Sequence, residues 1–241
     1  VSLKKLRYER LILKLSGEVL GGEDGVGFDA QAVDFMVAEI GKLVSSGVGL
    51  GLVLGGGNIL RGRQMTPFGM ERVAADQAGM IATVINGLVF REALKRAGIC
   101  AVLYSAVPVG GVVAEYYPMT AREALEEGRV VILSGGTGSP YFTTDTAAVL
   151  RARELSAGAL LKGTKVDGIY SADPQKDPEA EFFAHISYEE VIARNLGVMD
   201  ITAVSLAREG NLPIIIFKSV VEDAMLNIAK GEEVGSIIRE E

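Results

Sequence analysis

Lys14 is the first residue whose type and setting could do chemistry. It stands in Leu11-Ile12-Leu13-Lys14-Leu15-Ser16-Gly17-Glu18, where an ammonium inside an apolar run is either an edge lysine reaching solvent or a cation aimed into a cleft. Glycine placement favours the cleft. Ser16-Gly17 follows this run, Gly55-Gly56-Gly57-Asn58 follows a second, Gly135-Gly136-Thr137-Gly138 a third, and Gly163-Thr164-Lys165-Val166-Asp167-Gly168 a fourth. Glycine lets backbone N–H groups approach an anion closely, and a following helix adds the positive end of its dipole. Tight turns alone would account for one such loop. Four together point to a phosphate-binding cleft.

Several chemistries drop out. The pattern GxxxxGK[ST] does not occur, which argues against a P-loop enzyme, and no GxGxxG opens a first strand–helix unit. With one histidine, His185, imidazole acid–base work has little to draw on; its polar setting suggests a solvated or capping role. One cysteine, Cys100, excludes an intrachain disulfide and a thiolate zinc site. In the run Ile99-Cys100-Ala101-Val102-Leu103 it reads as a buried structural thiol. What remains is a site of backbone donors with a few Lys, Arg and Asp. That set suits phosphoryl transfer, where a protein positions groups and neutralises charge on the moving phosphoryl.

The elements that must position these residues follow from apolar spacing. Short β-branched or Leu-rich runs at 10–15, 48–54, 99–104, 130–133, 159–161 and 213–217 predict buried strands. Helical spacing is expected at 30–46, with Asp29 as N-cap, and at 73–97, 121–127, 145–155, 187–194, 203–209 and 222–230. Strand–helix alternation of this length predicts an α/β three-layer sandwich around a mainly parallel sheet, with ligands at the carboxyl ends of its strands. No repeat or linker divides the 241 residues, so a single unit is expected. The net charge of −7 offers no electrostatic footprint for nucleic acid or an anionic membrane. The uncharged stretches 45–60 and 99–114 are short of a span and broken by glycine or proline. A lone cysteine and no secretory segment make the cytoplasm the expected compartment.

At this point the chain resembles the bacterial uridylate (UMP) kinases of the amino-acid kinase superfamily. The resemblance runs nearly end to end. It rests on Lys14-Leu15-Ser16-Gly17-Glu18, on Gly55-Gly56-Gly57-Asn58-Ile59-Leu60-Arg61-Gly62, on Asp76 near a helix start, and on Gly136-Thr137-Gly138-Ser139-Pro140-Tyr141-Phe142-Thr143-Thr144-Asp145. Further on come Lys162-Gly163-Thr164-Lys165-Val166-Asp167-Gly168-Ile169-Tyr170, Ala172-Asp173-Pro174 and Gly197-Val198-Met199-Asp200. It implies an amino-acid kinase-like fold and transfer of the ATP γ-phosphate to UMP, giving UDP and ADP with Mg²⁺.

By position, the resemblance places Lys14, Leu15, Ser16, Gly17, Gly57 and Arg61 on ATP phosphates, with Thr164, Tyr170 and Asp173 towards adenine. Gly56, Asp76 and the stretch Thr137, Gly138, Ser139, Pro140, Tyr141, Phe142, Thr143 and Thr144 would meet UMP, Asp76 through the ribose. Lys14, Arg61 and Lys162 would stabilise the transferring group, and Asp145 would organise the charges beside it. Residues 156–241 would serve mainly the ATP side. Mg²⁺ would be held largely by phosphate oxygens and water. Asp200 matches a family element without a chemistry of its own.

The resemblance also implies a homo-oligomer, a hexamer built from dimers, with GTP as activator and UTP as inhibitor. Gly22, Glu23, Asp24, Gly25, Val26 and Gly27 match the family's allosteric loop, and Arg91 and Lys95 could supply cations for GTP. Residues 77–90 carry no charge, so that helix is either central or an interface; Val84 and Leu88 are the candidates for its outward face. Two other readings compete. A kinase of a carboxylate or carbamate would need a cationic clamp where Asp76 stands. A nucleotide or oxyanion sensor would lack Lys14 or Asp145, and both are present.

Overall fold

The strand β1 (Arg10–Leu15) turns Leu11, Leu13 and Leu15 to one face and Ile12 and Lys14 to the other, and both faces are covered. A strand buried on both sides reads as a nearly continuous apolar run, as parallel sheets require. In the computed structural model, which describes residues 6–60, 69–174, 176–177 and 179–240, β1 is central to a nine-stranded sheet. The other strands are β2 (Gly49–Leu54), β3 (Ala101–Ser105), β4 (Ala114–Glu115), β5 (Val130–Ser134), β6 (Ala159–Thr164), β9 (His185–Ile186), β10 (Ile214–Lys218) and β11 (Ser236–Ile238). Their order is β4-β3-β5-β2-β1-β6-β10-β11-β9. Every pairing is parallel except β10 with β11. Two short strands, β7 (Ile169–Tyr170) and β8 (Phe182–Phe183), form a separate antiparallel pair.

Helices cover both faces. On one side α1 (Ala30–Ser45), α2 (Arg72–Arg96) and α7 (Ala224–Ala229) bring Met36, Ile40, Phe90, Leu94 and Met225 against Leu11 and Leu13. On the other, α3 (Pro118–Glu126), α4 (Thr144–Glu154), α5 (Tyr188–Ala193) and α6 (Ile201–Glu209) bring Leu125, Val149, Val191 and Val204 against Ile12 and Val53. These are the three layers expected. Capping follows the residue types: Asp29 accepts from Ala32 N–H at 2.7 Å at the start of α1, and Thr143 from Asp145 N–H at 3.1 Å at the start of α4.

Several expectations need correction. Cys100 is exposed, because β3 begins only at Ala101 and the thiol sits outside the sheet at the strand's entry. Gly163 is inside β6 rather than in the loop after it, paired with Leu15 and Phe217. The last helix starts at Ala224, since Asp223 has φ 58 and its N–H goes to Glu39 of α1. The short strands β4, β7, β8, β9 and β11 were not foreseen, as two or three residues carry no readable period.

In α2 the side facing the sheet buries Val84, Phe90 and Leu94, while Ile81, Ile85 and Val89 are exposed. Val84 is therefore a core residue and Leu88 packs on the core; neither is outward-facing. Among the described helices, α2 is long and apolar enough to cross a membrane by length and composition alone. Here its apolar character is divided between the core and the exposed stripe.

Candidate active site

Register creates the charge cluster. Lys14 of β1 and Lys162 of β6 are direct cross-strand neighbours, so their side chains leave the sheet on the same face. That face meets the first turn of α4, where Asp145 lies. Its carboxylate receives Lys14 at 2.8 Å on one oxygen and Lys162 at 2.5 Å on the other. Lys162 also donates to the Val198 carbonyl. The three side chains are only 12–13% exposed. Two ammonium ions share one carboxylate at the carboxyl end of the sheet, and Asp200 adds its negative charge near Lys162.

The electrostatics are tightly balanced. Burial alone would push the Asp145 carboxyl up, but the charges of Lys14 and Lys162 outweigh it and hold the group below the usual range. Burial, joined by the like charge of Lys14, holds the Lys162 ammonium below its ordinary value against the pull of Asp145. An ammonium disfavoured by burial, even with Asp145 and Asp200 acting on it, gains from a further anionic partner.

The backbone around the cluster is built for close approach. A Cβ on Gly17 would lie 2.4 Å from Asn58 Oδ1 and 2.6 Å from the Gly55 carbonyl, so only glycine fits between the first two loops. Gly56 is pressed equally hard on α2, where a Cβ would stand 2.9 Å from Ala82 Cβ. Beside them opens a cavity of roughly 270 Å³, lined by Gly56, Gly57, Asp76, Gly136, Thr137 and Phe142, with Thr143 and Thr144 leading directly to Asp145. Asp76 receives Arg72 at 2.8 Å and the Tyr141 N–H at 2.8 Å, which ties the loop before α4 to the start of α2.

Most of the expected acceptor residues thus come together: Gly56, Asp76, Thr137, Phe142, Thr143 and Thr144 line one cavity, and Tyr141 joins through Asp76. Gly138, Ser139 and Pro140 belong to the same loop without lining it. Gly57, expected on the donor side, lines this cavity too. Ser16 accepts from Glu18 N–H at 3.4 Å, starting a 3-10 turn over Gly17–Gly21, and Leu15 is buried. Thr164 ends β6, Tyr170 lies in β7, and Asp173 follows β7. Thr164 turns its hydroxyl to the Val166 carbonyl at 2.5 Å, Tyr170 bonds Asp167 at 2.9 Å, and Asp173 pairs with Lys176 at 3.2 Å. Arg61 lies outside the described residues.

The two parts of the expected effector site are not joined within one chain. Residues 22–27 are stitched to the second glycine loop, Gly27 N–H to the Asn58 carbonyl at 2.9 Å and Asn58 Nδ2 to the Gly27 carbonyl at 2.8 Å. Arg91 and Lys95 lie towards the far end of α2, lining an open groove with Arg129 and Cys100.

Four residues, Asn86, Thr83, Arg151 and Arg129, escape the sequence reading, and Asp200 stands there without a role. Asn86 donates to the Gly55 carbonyl at 2.6 Å and exchanges two hydrogen bonds with Asn58. Thr83 accepts from Gly135 N–H, Arg151 donates to the Gly136 carbonyl, and Arg129 adds a third cation to the groove. Asp200 caps α6 through Ala203 N–H at 2.9 Å and takes the hydroxyls of Thr143 and Thr146; its role is to hold the start of α4. The only sequence signal was Thr83 and Asn86 themselves, polar residues three apart in an otherwise apolar helix.

A parallel sheet with glycine loops and a lysine pair at its carboxyl edge defines a phosphate-handling α/β protein. The sequence profile of the amino acid kinase family matches residues 9–218. The uridylate kinases of Pseudomonas paraeruginosa (strain DSM 24068 / PA7) and Pseudomonas aeruginosa (strain PAO1) are each 50% identical over 240 residues, covering 100% of this chain and 98% of theirs. The crystal structure of UMP kinase from Bacillus anthracis superposes with a TM-score of 0.94 at 35% identity, covering 96% of each chain. That from Ureaplasma parvum gives 0.91 at 34%, covering 98% of this chain and 100% of that one. The chain belongs to the amino acid kinase family. Within it the chain stands with the UMP kinases, and it is an enzyme of that kind.

Proposed function

We propose that the protein transfers the γ-phosphate of ATP to UMP, releasing UDP and ADP, as a step of pyrimidine nucleotide synthesis in the cytoplasm. The observation that carries the reading is the Lys14–Asp145–Lys162 cluster, whose Asp145 directly follows Thr143 and Thr144 in the lining of the cavity that holds Asp76. A phosphate oxygen of UMP attacks Pγ, the bond from Pγ to the bridging oxygen breaks, and ADP leaves with that electron pair. Lys14 and Lys162 neutralise the charge on the moving phosphoryl, while Asp145 holds them apart and in place. Ser16 and Gly17 offer backbone donors to the ATP phosphates, joined by Leu15, Gly57 and Arg61. Thr164, Tyr170 and Asp173 serve the adenine side, so residues 156–241 carry mainly ATP within a single unit.

Mg²⁺ enters with ATP. Asp145 is ion-paired with both lysines, Oδ2 taking a hydrogen bond from Lys162 while the buried Oδ1 beside Lys14 accepts none, and the one described group of three carboxylates, Glu39, Glu222 and Asp223, is closed around Lys42. The chain therefore meets the ion through the nucleotide's oxygens. In a coupled assay of ADP release over UMP, CMP, dTMP, glutamate, aspartate and carbamate, UMP should be the preferred acceptor; a carboxylate or carbamate winning would overturn the reading. Asp76→Ala should weaken UMP binding by roughly 1.5–3 kcal/mol, as when a charged hydrogen bond is lost, and leave ATP binding nearly intact. Equal weakening of both in calorimetry would make Asp76 a purely structural tie.

Assembly and regulation complete the proposal. Val73, Ile81, Ile85 and Val89 are exposed along α2, a stripe suited to a second copy of the chain, and a hexamer built from such dimers would bring effector elements of different chains together. GTP as activator suits the three cations Arg91, Lys95 and Arg129; UTP would inhibit. Ile85→Glu should split the assembly before unfolding the subunit, because a charge must be desolvated at a contact at a cost of several kcal/mol. Light scattering with circular dichroism at several concentrations decides it. A wild-type monomer at micromolar concentration defeats the oligomer.

A further inference from the structure

Thr83 and Arg151 have no part in the chemistry above, yet both grip the same short stretch of backbone. Thr83, which also lines the cavity, accepts from Gly135 N–H at 2.8 Å through Oγ1 while donating to the Met80 carbonyl at 2.6 Å, so its one proton is committed away from any ligand. Arg151, whose side chain is 6% exposed, donates from Nη2 to the Gly136 carbonyl at 3.1 Å. It reaches that carbonyl without lining the cavity. Its own place is set twice, by Glu154 at 2.7 Å and by the Tyr116 ring, whose centroid is 4.1 Å from its Cζ. Tyr116 in turn donates to Glu154 at 2.7 Å. A guanidinium serves all three partners through its planar fork and its face; an ammonium cannot.

The stretch they grip is intrinsically loose. Gly135 and Gly136 are both left-handed, with φ 76 and φ 60, and two adjacent glycines leave their peptide planes free to rotate. All peptides here are trans, so in each plane the C=O and N–H point in opposite directions. Holding the Gly136 carbonyl on Arg151 therefore turns the Thr137 N–H the other way. Holding the Gly135 carbonyl on Gly138 N–H, at 3.0 Å, does the same for the Gly136 N–H. Those two N–H groups donate to nothing among the described residues, and Gly136 and Thr137 line the cavity.

We propose that Thr83 and Arg151 are positioning residues for the acceptor nucleotide: from two helices, α2 and α4, Thr83 anchors the Ser134–Gly135 peptide at the entry of the loop and Arg151 fixes the Gly136–Thr137 peptide, so that the Gly136 and Thr137 N–H groups are held towards the bound acceptor. The proposal rests on the reading of this cavity as the UMP site. Preset donors spare the acceptor the cost of ordering them. Thr83→Val keeps the shape of the side chain and removes only the hydroxyl.

The test is steady-state kinetics on the full-length enzyme with UMP and ATP varied separately. Thr83→Val should raise the KM for UMP on the order of tenfold, the weight of about one hydrogen bond, with kcat and the KM for ATP nearly unchanged. Thr83→Ser should restore the wild-type KM. Arg151→Lys should show the same selective rise, since it keeps the charge facing Glu154 and loses the fork. A KM for UMP that stays put in both variants, or rises in step with that for ATP, overturns the proposal. Asp76→Ala, titrated with UMP in parallel, separates the two layers. If Asp76→Ala weakens UMP and Thr83→Val does not, the clamp fails alone; if wild type takes no UMP, the reading of the cavity fails.

Discussion

Asp145→Ala should be the most damaging single change in the molecule, lowering stability by about 3–5 kcal/mol, the usual result of removing one partner from a buried ion cluster. Lys14 and Lys162 would then face each other as buried like charges with no carboxylate between them. The pH dependence gives the prediction a sign. The Asp145 carboxyl lies below its unfolded value of 3.8 in the folded protein. Its contribution is fully present above pH 3.8 and disappears as the pH falls through the lower folded value. Urea titrations of wild type and variant should therefore converge on acidification. At the alkaline end the variant should recover part of its loss, because its Lys162, already held low in the wild type, sheds its proton and relieves the repulsion. A stability gap that stays constant from pH 7 to pH 3 would show that Asp145 acts by packing, not by charge.

Lys14→Ala should leave the fold intact and lower turnover on the order of 100-fold or more, as when a group that stabilises transition-state charge is lost. Stability is spared because Asp145 keeps Lys162 at 2.5 Å, so no buried carboxylate is stranded. Circular dichroism should match the wild type, and the loss should fall on kcat. Lys162→Ala makes a useful partner, since the two lysines act on one phosphoryl and their losses should not add. Turnover within a few-fold of wild type would reduce Lys14 to an ordinary strand lysine.

Much of the frame was legible in the residues. Both faces of β1 are buried, and its Leu-rich run says so. Asp29 and Thr143 announce α1 and α4 through the cap chemistry they perform. The glycine loops were readable because steric demand at Gly17 and Gly56 is absolute: no other residue fits at 2.4 or 2.9 Å. The outward side of α2 was not legible, since in a helix apolar all round the spacing does not tell Val84 from Ile85; only the position of the sheet does. Cys100 misled in the same way. It borders an apolar run but precedes the strand that the run forms.

By itself, then, the chain determined its local elements, the places where backbone must pass close to backbone, and the kind of chemistry its sparse His and Cys and abundant Gly leave open. These are properties of one residue and its neighbours. Only the tertiary structure decided that Lys14 and Lys162 stand side by side, that Asp145 bridges them, and that Thr83 and Arg151 hold one glycine loop from opposite helices. Each is a contact between residues far apart in sequence. Strand register and helix docking set such contacts, and both are fixed by burial summed over the whole core rather than by any motif.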